Sequence, residues 1–258
     1  MIPKTIHYCW FGGNPLPKLA KKCIKSWKKY CKDYEIIQWN EKTFDIKSAP
    51  LYVRQAYDAK KWAFVTDYVR LYAMVKYGGV YMDTDVEVIK PLDAFLNHKA
   101  FSGFENDTQI PTGIMACEKD FPLFERLLRY YDNASFFNED GTMNCTTNVA
   151  IITQTCLEYG LKQNNTFQII DGFALYPKDY FCPIEWSTLI KKETENTATI
   201  HHFSGSWHTK SEKNTHKQQI KKQRRIERIH KIKHLPNSIL MKILGDSLYE
   251  KIKKKIKK

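Results

Sequence analysis

A helix-length apolar segment that ends in a glycine pair and leads into two aspartates constrains this chain more than any other feature. Trp62–Tyr77 carries a wide apolar face at helical spacing, and Gly78-Gly79 is a typical helix end. The next segment, Val80–Ile89, is predicted to be a strand. Since alternate side chains of a strand point the same way, we expect Asp83 and Asp85 to face one site.

Two neighbouring carboxylates repel each other unless a cation neutralises them. Hard oxygen ligands favour Mg²⁺ or Mn²⁺, and such a cation can bridge a diphosphate and improve it as a leaving group. Taken alone, the Asp83-Thr84-Asp85 tripeptide describes a solvated strand end equally well. The apolar flanks of the tripeptide favour instead a position at the end of a core strand.

The preceding helix contains a second charged pair. Asp67 and Arg70 are three residues apart, on one face, within an otherwise apolar run. A surface ion pair would contribute little, but a buried pair needs partners or a function. We therefore include Asp67 and Arg70 in the candidate site.

The beginning of the chain predicts a β-α-β unit. Thr5–Phe11 and Tyr34–Trp39 are predicted strands, and Pro17–Cys31 between them is a predicted amphipathic helix. Such a unit pairs its strands in parallel, so the fold class is predicted to be α/β. Further strands are predicted at Ala100–Phe104 and Thr199–Phe203, and further helices at Phe121–Tyr131 and Thr147–Tyr159.

The excess positive charge lies entirely in the last fifth of the chain. Residues 1–209 hold 24 basic and 24 acidic residues, whereas residues 210–258 hold 17 basic and only 4 acidic ones. We therefore divide the chain into a catalytic domain, 1–209, and a basic helical tail, 210–258. Within the tail, residues 237–258 are predicted to form a helix with an apolar stripe ringed by lysines, which would suit an anionic membrane surface. A helix packed on the domain is the alternative, and nucleic-acid binding is not expected because no recognition module accompanies the charge.

Cysteine usage and the N-terminus indicate the compartment. Seven cysteines without a C-x-x-C pair predict reduced thiols and no zinc site. No signal peptide and no membrane-spanning apolar run are predicted. We expect a cytoplasmic protein, peripheral on the inner face of the cell membrane.

These motifs together resemble family 32 glycosyltransferases. The opening Ile2–Gly12, the central pattern from Ala63 to Asp85 and the later segment His201–Trp207 carry the resemblance. It implies a GT-A fold, which is a nucleotide-binding α/β fold with a central mixed sheet between helices. It also implies retaining transfer of a hexose from a nucleotide-sugar donor.

The resemblance implies roles for individual positions as well. Trp10 matches a tryptophan that stacks on the nucleotide base. Asp67 and Arg70 match residues that hold the sugar hydroxyls and the diphosphate side of the donor. Asp83 matches the acid near the ribose and the water shell of the metal, and Asp85 matches the direct metal ligand.

The later positions close the proposed site. Ser206 and Trp207 match a loop that closes on the diphosphate, and Asn148 matches an asparagine near the donor sugar. His201 or His202 matches a further metal contact, and adjacent strand residues point apart, so only one can be a ligand. We take His202 as the expected ligand.

The sequence thus predicts a Mn²⁺- or Mg²⁺-dependent hexosyltransferase. A UDP-sugar is the expected donor, with GDP-mannose as the alternative, and a lipid-linked capsular or O-antigen glycan is the expected acceptor. A metal-dependent nucleotidyltransferase or phosphohydrolase would need a second acid cluster, which the sequence does not offer. The remaining alternative is a basic membrane- or nucleic-acid-binding protein whose Asp pair is structural.

Overall fold

The computed structural model describes residues 1–205 and 210–233. The helices of these ranges are α1 (Lys18–Tyr30), α2 (Leu51–Asp58), α3 (Trp62–Tyr77), α4 (Pro122–Arg129), α5 (Asn148–Glu158), α6 (Lys178–Phe181) and α7 (Lys210–Lys233). The strands are β1 (Thr5–Cys9), β2 (Glu35–Trp39), β3 (Gly79–Met82), β4 (Val86–Val88), β5 (Ala100–Gly103), β6 (Ile114–Cys117), β7 (Gln168–Ile170), β8 (Phe173–Tyr176) and β9 (Thr199–His201).

A seven-stranded mixed sheet forms the centre of the molecule, with the strand order β2-β1-β3-β6-β5-β8-β7. β1 pairs in parallel with both β2 and β3, while β6 runs antiparallel to β3 and β5. The parallel β1–β2 pair with α1 between them is the predicted β-α-β unit. The predicted α/β class, a central mixed sheet with helices on both faces as a GT-A fold requires, is confirmed.

Each face of the sheet contributes to its own apolar core. In β3, Tyr81 packs into the core that includes α2, α3, α4 and α5, whereas Val80 and Met82 pack into the core that includes α1 and α6. This alternation follows from the pleat of a strand, which sends successive side chains to opposite faces. Because these strands are buried on both faces, their sequences are continuous apolar runs.

The segment predicted as one strand, Val80–Ile89, is two strands in two sheets, so that prediction is wrong. β3 lies in the central sheet, whereas β4 pairs antiparallel with β9 in a separate two-stranded sheet. The Trp27 indole of α1 donates to the Val86 carbonyl across 2.7 Å, which ties β4 to the first helix. The chain changes sheets at residues 83–85, where it turns.

The glycine pair between α3 and β3 allows the backbones to approach closely. Gly78 and Gly79 both have positive φ, 68° and 102°. A Cβ atom on Gly79 would lie 2.6 Å from the Thr5 carbonyl oxygen, which a real structure does not tolerate. The pair therefore lets α3 end directly beside β1 and lets β3 start next to the start of β1, with which it pairs in parallel.

The described residues divide into two compact units. The first contains Met1–Trp186 and, of the described residues, 190–205; the second contains Ser187–Leu189 and α7. Within the second unit, the Arg224 guanidinium donates to the Thr188 carbonyl across 2.5 Å. The predicted boundary at residue 209 stays a prediction, and the predicted apolar stripe of residues 237–258 lies outside the described residues. No helix in the described ranges has the length and apolar content needed to cross a membrane.

Candidate active site

The carboxyl ends of β1 and β3 define the location of the candidate site. Because these neighbouring strands are parallel, both ends open at the same edge of the sheet. Trp10 directly follows β1, and Asp83 directly follows β3. The edge therefore brings together the two motifs that the sequence analysis singled out.

The two aspartates sit on a tight turn rather than on an extended strand. The Val86 amide donates to the Asp83 carbonyl across 2.9 Å, and the Asp83 amide donates to the Gly113 carbonyl across 2.8 Å. The expected convergence of the carboxylates is found, although its cause is the turn. Ligand atoms of Asp83, Asp85 and His201 all lie within 4.8 Å of one another.

The structure corrects the choice within the histidine pair, because His201 rather than His202 lies beside the aspartates. His201 Nε2 is 3.3 Å from Asp85 Oδ1, whereas His202 Nε2 is 2.8 Å from Glu87 Oε2. The two rings point apart, as adjacent residues of a strand must. The antiparallel pairing of Val86 with His201 places the first ring at the turn of the two aspartates.

Charge complementarity sets the protonation of this cluster. Burial alone would raise the pKa of Asp85, but the positive charge of His201 and the Ser204 amide hold that pKa well below its usual range. Burial would likewise lower the pKa of His201, but the Asp85 carboxylate holds it well above its usual range. The imidazolium thus occupies the position of a cation, and a divalent ion bound by Asp85 and His201 would displace its proton.

Arg70 connects α3 to the turn that contains Asp83 and Asp85, which we call the Asp turn. Its guanidinium lies 3.1 Å from Asp67 Oδ1 and 3.4 Å from Asp83 Oδ1, and it donates to the Thr112 carbonyl across 2.8 Å. It also stacks over the Tyr81 ring at 4.7 Å from the centroid. The side chain is only 6% exposed, so the predicted pair is indeed a buried one with several partners.

Asp67 and Asn148 form the inner wall of the site. Burial raises the pKa of Asp67 to about 6, although the nearby Arg70 charge opposes this. Asn148 is buried at the first turn of α5, and its amide donates to the Asp67 carbonyl across 2.9 Å. The Tyr131 hydroxyl donates to the Asn148 side-chain oxygen across 3.1 Å. The structure therefore brings Asn148 to the predicted pair and fixes its orientation.

The remaining predicted residues are placed only in part. Trp10 is partly buried at the end of β1, and its indole N–H donates to the Asn14 carbonyl across 2.6 Å. Ser206 and Trp207 lie outside the described residues, so their predicted roles stay predictions.

Sequence reasoning missed two residues that hold His201. A Cβ atom on Gly113 would lie 2.9 Å from His201 Nδ1, so glycine leaves the space that the ring occupies. Cys182 Sγ lies 3.8 Å from the same nitrogen. Neither residue carries a sequence signal, because one is an isolated glycine and the other is one of seven dispersed cysteines.

The donor set fits a hard or borderline divalent cation. Two carboxylates and an imidazole are ligands that suit Mn²⁺, and carboxylates also suit Mg²⁺. The six buried cysteines have no comparable arrangement within the described residues. The residues present therefore agree with the expected metal.

The chain matches the protein family described as "Glycosyltransferase sugar-binding region containing DXD motif" over residues 17–102. The matched region includes the Asp67–Arg70 pair and both aspartates of the turn. Residues 17–102 are thus similar to the sugar-binding region of DXD-containing glycosyltransferases. The resemblance inferred from the sequence is confirmed over this region.

Two relatives come from Schizosaccharomyces pombe. Inositol phosphoceramide mannosyltransferase 3 is 29% identical over 139 residues, which covers 52% of this chain and 38% of the relative. Inositol phosphoceramide mannosyltransferase 1 is 28% identical over 123 residues, covering 41% and 37% respectively. The chain spans less than two-fifths of the length of either relative.

Solved structures with a similar arrangement are also glycosyltransferases. The PaToxG glycosyltransferase superposes with a TM-score of 0.49 at 19% identity, covering 61% of this chain and 69% of that one. The galactosyltransferase LgtC, in complex with donor and acceptor sugar analogues, superposes with a TM-score of 0.39 at 13% identity, covering 84% and 94%.

Proposed function

We propose that this protein transfers a hexose from a nucleotide-sugar to a glycan acceptor with the help of a divalent cation. The observation that carries the proposal is the convergence of Asp83, Asp85 and His201 beside the buried Arg70. A diphosphate needs compensating positive charge in order to leave, and this site offers a cation site and a guanidinium together.

The side chains divide the work of binding and positioning. Asp85 and His201 would hold the cation, and Asp83, hydrogen-bonded by the Tyr81 hydroxyl across 2.8 Å, would complete its shell. When bound, the cation supplies neutralisation of the diphosphate. The buried Arg70 adds positive charge beside Asp83 at the same edge, and Asp67 would accept hydrogen bonds from sugar hydroxyls. We also propose that the transfer retains the anomeric configuration of the sugar, because the family that the sequence resembles implies retention.

The donor and acceptor are proposed at the level of their chemistry. A UDP-hexose with Mn²⁺ or Mg²⁺ is the donor pair we favour, and the names of the two yeast relatives make GDP-mannose the first alternative. These names also describe a phosphoinositol lipid, which supports a lipid-linked acceptor such as a capsular or O-antigen precursor.

The basic helix α7 supports a membrane-surface location. Ten of its residues are Lys or Arg and two are Glu. Among its described side chains, the buried or partly buried ones follow one face that includes the buried Ile220, whereas the lysines at 217, 221 and 222 are exposed. An exposed basic face would attract the anionic cytoplasmic leaflet, so we propose a cytoplasmic protein peripheral on the membrane.

The two-metal alternative has less support. Within residues 1–205 and 210–233, Asp83, Asp85 and His201 are the one group of potential ligands close enough to share an ion. A two-metal nucleotidyltransferase would need a second such group about 4 Å away. The described part of the chain therefore favours a one-metal transferase.

A nucleotide-sugar screen with Mn²⁺ by thermal shift, followed by hydrolysis and transfer assays, tests the proposal. We expect at least one nucleotide-sugar to stabilise the protein in a Mn²⁺-dependent way. Asp85→Ala should remove this stabilisation and the activity while the variant stays folded. Asp33→Ala changes an exposed aspartate that precedes β2 at the opposite edge of the sheet, and this variant should behave as the wild type. Full activity of Asp85→Ala, or in excess chelator, would contradict the proposal.

A further inference from the structure

One carboxylate near the candidate site has no role in the function proposed above. Glu105 lies two residues beyond β5. β5 is antiparallel to β6, and β6 is antiparallel to β3, so β5 and β3 run in the same direction. Glu105 therefore emerges at the same edge of the sheet as Asp83.

A chain of contacts leads from β5 to the aspartate turn. A Cβ atom on Gly103 would lie 3.0 Å from the Phe181 ring, so the end of β5 packs directly on α6. Cys182 follows α6, and its sulfur lies 3.8 Å from the His201 ring. This packing brings the segment after β5 alongside the metal-ligand candidates from the side opposite α3.

The main chain around Glu105 is fixed. The Phe104 amide donates to the Tyr176 carbonyl, and the Glu105 amide donates to the Gln109 carbonyl, both across 2.8 Å. The Asn106 side chain accepts from the amides of residues 108 and 109 and closes the turn. A rigid turn of this kind holds a side chain in place for binding rather than leaving it mobile.

The Glu105 carboxylate has charged neighbours but no hydrogen-bond donor. It is partly buried and interacts electrostatically with His201, Asp83 and Glu185. Burial raises its pKa, and the charge of His201 opposes the shift. No residue of the described ranges donates a hydrogen bond to this carboxylate, and it lies outside the group of three that could share an ion. The carboxylate of this partly buried side chain thus has a free acceptor position toward the described residues, and a bound ligand can supply a donor.

We propose that Glu105 accepts a hydrogen bond from a hydroxyl group of the transferred sugar. The assignment rests on the proposed function, because it requires a nucleotide-sugar at the Asp turn. Its location fits this role: the diphosphate lies at the cation, and the sugar is attached to the diphosphate. Asp67 and Asn148 would then contact the sugar from the α3 side and Glu105 from the α6 side.

The test compares nucleotides with and without the sugar. Calorimetry with Mn²⁺ would measure binding of UDP-glucose and GDP-mannose beside UDP and GDP, for the wild type, Glu105→Gln and Glu105→Ala. We expect affinity for the nucleotide-sugar to fall about 10-fold in Glu105→Gln and further in Glu105→Ala, as for a lost hydrogen bond to a charged group. Affinity for the nucleoside diphosphate and for Mn²⁺ should stay within about twofold, since neither contacts Glu105 in this assignment.

A matched control separates this role from a general loss of charge. Glu35→Gln makes the same change at an exposed position at the opposite edge of the sheet and should leave all affinities unchanged. Equal losses for sugar-bearing and sugar-free nucleotides in the Glu105 variants would overturn the assignment, and so would unchanged binding in both. A wild type that binds the nucleoside diphosphate but no nucleotide-sugar, or neither, contradicts the proposed function itself.

Discussion

At the scale of single residues, the candidate site depends on two glycines whose missing side chains leave space for neighbouring groups. Gly113 has no side chain where the His201 ring lies, and Gly79 has none where the Thr5 carbonyl passes. Arg70 illustrates the opposite case, since every part of its guanidinium is used by a neighbour. Small changes at these positions should therefore have specific effects on the site.

Gly113→Ala should displace the His201 ring from the Asp turn. The added methyl group would lie 2.9 Å from His201 Nδ1, and the flexible ring, rather than the β6 backbone, would move. We expect Mn²⁺ affinity to fall about 10- to 100-fold, the loss typical of residues that orient a metal ligand. Calorimetric titration with Mn²⁺ measures the affinities of the variant and of the wild type. Gly13→Ala adds a methyl group in open space and should keep wild-type Mn²⁺ affinity; a Gly113→Ala protein that does the same would contradict the prediction.

Arg70→Lys should weaken both the fold and donor binding. A lysine keeps the charge but cannot reach Asp67, Asp83 and the Thr112 carbonyl together. We expect the free energy of unfolding in urea to fall by on the order of 2 kcal/mol, for lost hydrogen bonds of a charged group. Arg126→Lys makes the same change in an exposed ion pair and should cost less than about 1 kcal/mol. Equal costs at the two positions would argue against a connecting role for Arg70.

At the scale of secondary structure, long periodic segments were predictable and short buried ones were not. The predicted boundaries of α3 agree with the structure to the residue, because its apolar face and the glycine pair define both ends. α2, β6, β7, β8 and α6 were not predicted. Each has eight residues or fewer, and a four-residue run buried on both faces, such as β6, has neither helical nor alternating periodicity.

In the candidate site, too, features set by residues close in sequence were predictable, and features set by distant residues were not. Asp83 and Asp85 were identified correctly as neighbours because they are close in the sequence, although the turn between β3 and β4 was not foreseen. The choice between His201 and His202 depends on the register of β9 against β4. Strand register is set by pairing across more than a hundred residues, and local sequence does not contain it.

The β1–β3 contact contains a histidine whose protonation opposes folding. His7 is fully buried; it donates from Nε2 to the Gly78 carbonyl across 2.9 Å and accepts from the Trp39 indole across 3.2 Å. Burial lowers the pKa of His7 from 6.5 to about 4, with the Gly78 carbonyl opposing the shift. The unfolded chain therefore binds a proton at a higher pH than the folded chain does.

Because of His7, the free energy of unfolding should decrease as the pH is lowered from about 6.5 to about 4. The contribution of His7 is fully present above pH 6.5 and is lost as the pH falls toward about 4, amounting to about 3 kcal/mol. Urea unfolding at intervals from pH 7 to pH 4 measures the slope. His7→Gln removes the titrating group, so its stability should depend less steeply on pH in this window. An unchanged slope in the variant would show that other groups dominate acid destabilisation.

At the scale of the whole molecule, charge is distributed unevenly along the chain. The first 209 residues are neutral in sum, whereas α7 carries the described part of the basic excess. A neutral catalytic part avoids binding polyanions indiscriminately at the active site. The basic helix α7 concentrates positive charge in one segment of the chain.

Replacing three exposed lysines of α7 by glutamine should reduce binding to anionic vesicles. Each lysine near such a surface contributes about 1 kcal/mol, so sedimentation with phosphatidylserine vesicles should fall steeply. Binding of the wild type should also weaken between low and high salt, because screening acts over about 8 Å at physiological ionic strength. The positions to change are Lys217, Lys221 and Lys222.

The control for this prediction removes the same charge elsewhere. Glutamine at three exposed positions of α1 alters net charge equally and should leave vesicle binding nearly intact. Equal losses in the two triple variants would indicate that net charge, and not α7, directs the protein to the surface. The control positions are Lys21, Lys25 and Lys28.

The pairing of β4 with β9 also determines when the site can exist during synthesis. The ribosome makes Asp83 and Asp85 more than a hundred residues before His201. Until β9 emerges and pairs, the nascent chain has the two carboxylates without the imidazole that completes the cluster. The third ligand of the proposed cation site is thereby added only after every strand of the central sheet has been made, and a chain cut before β9 would keep the acid turn without it.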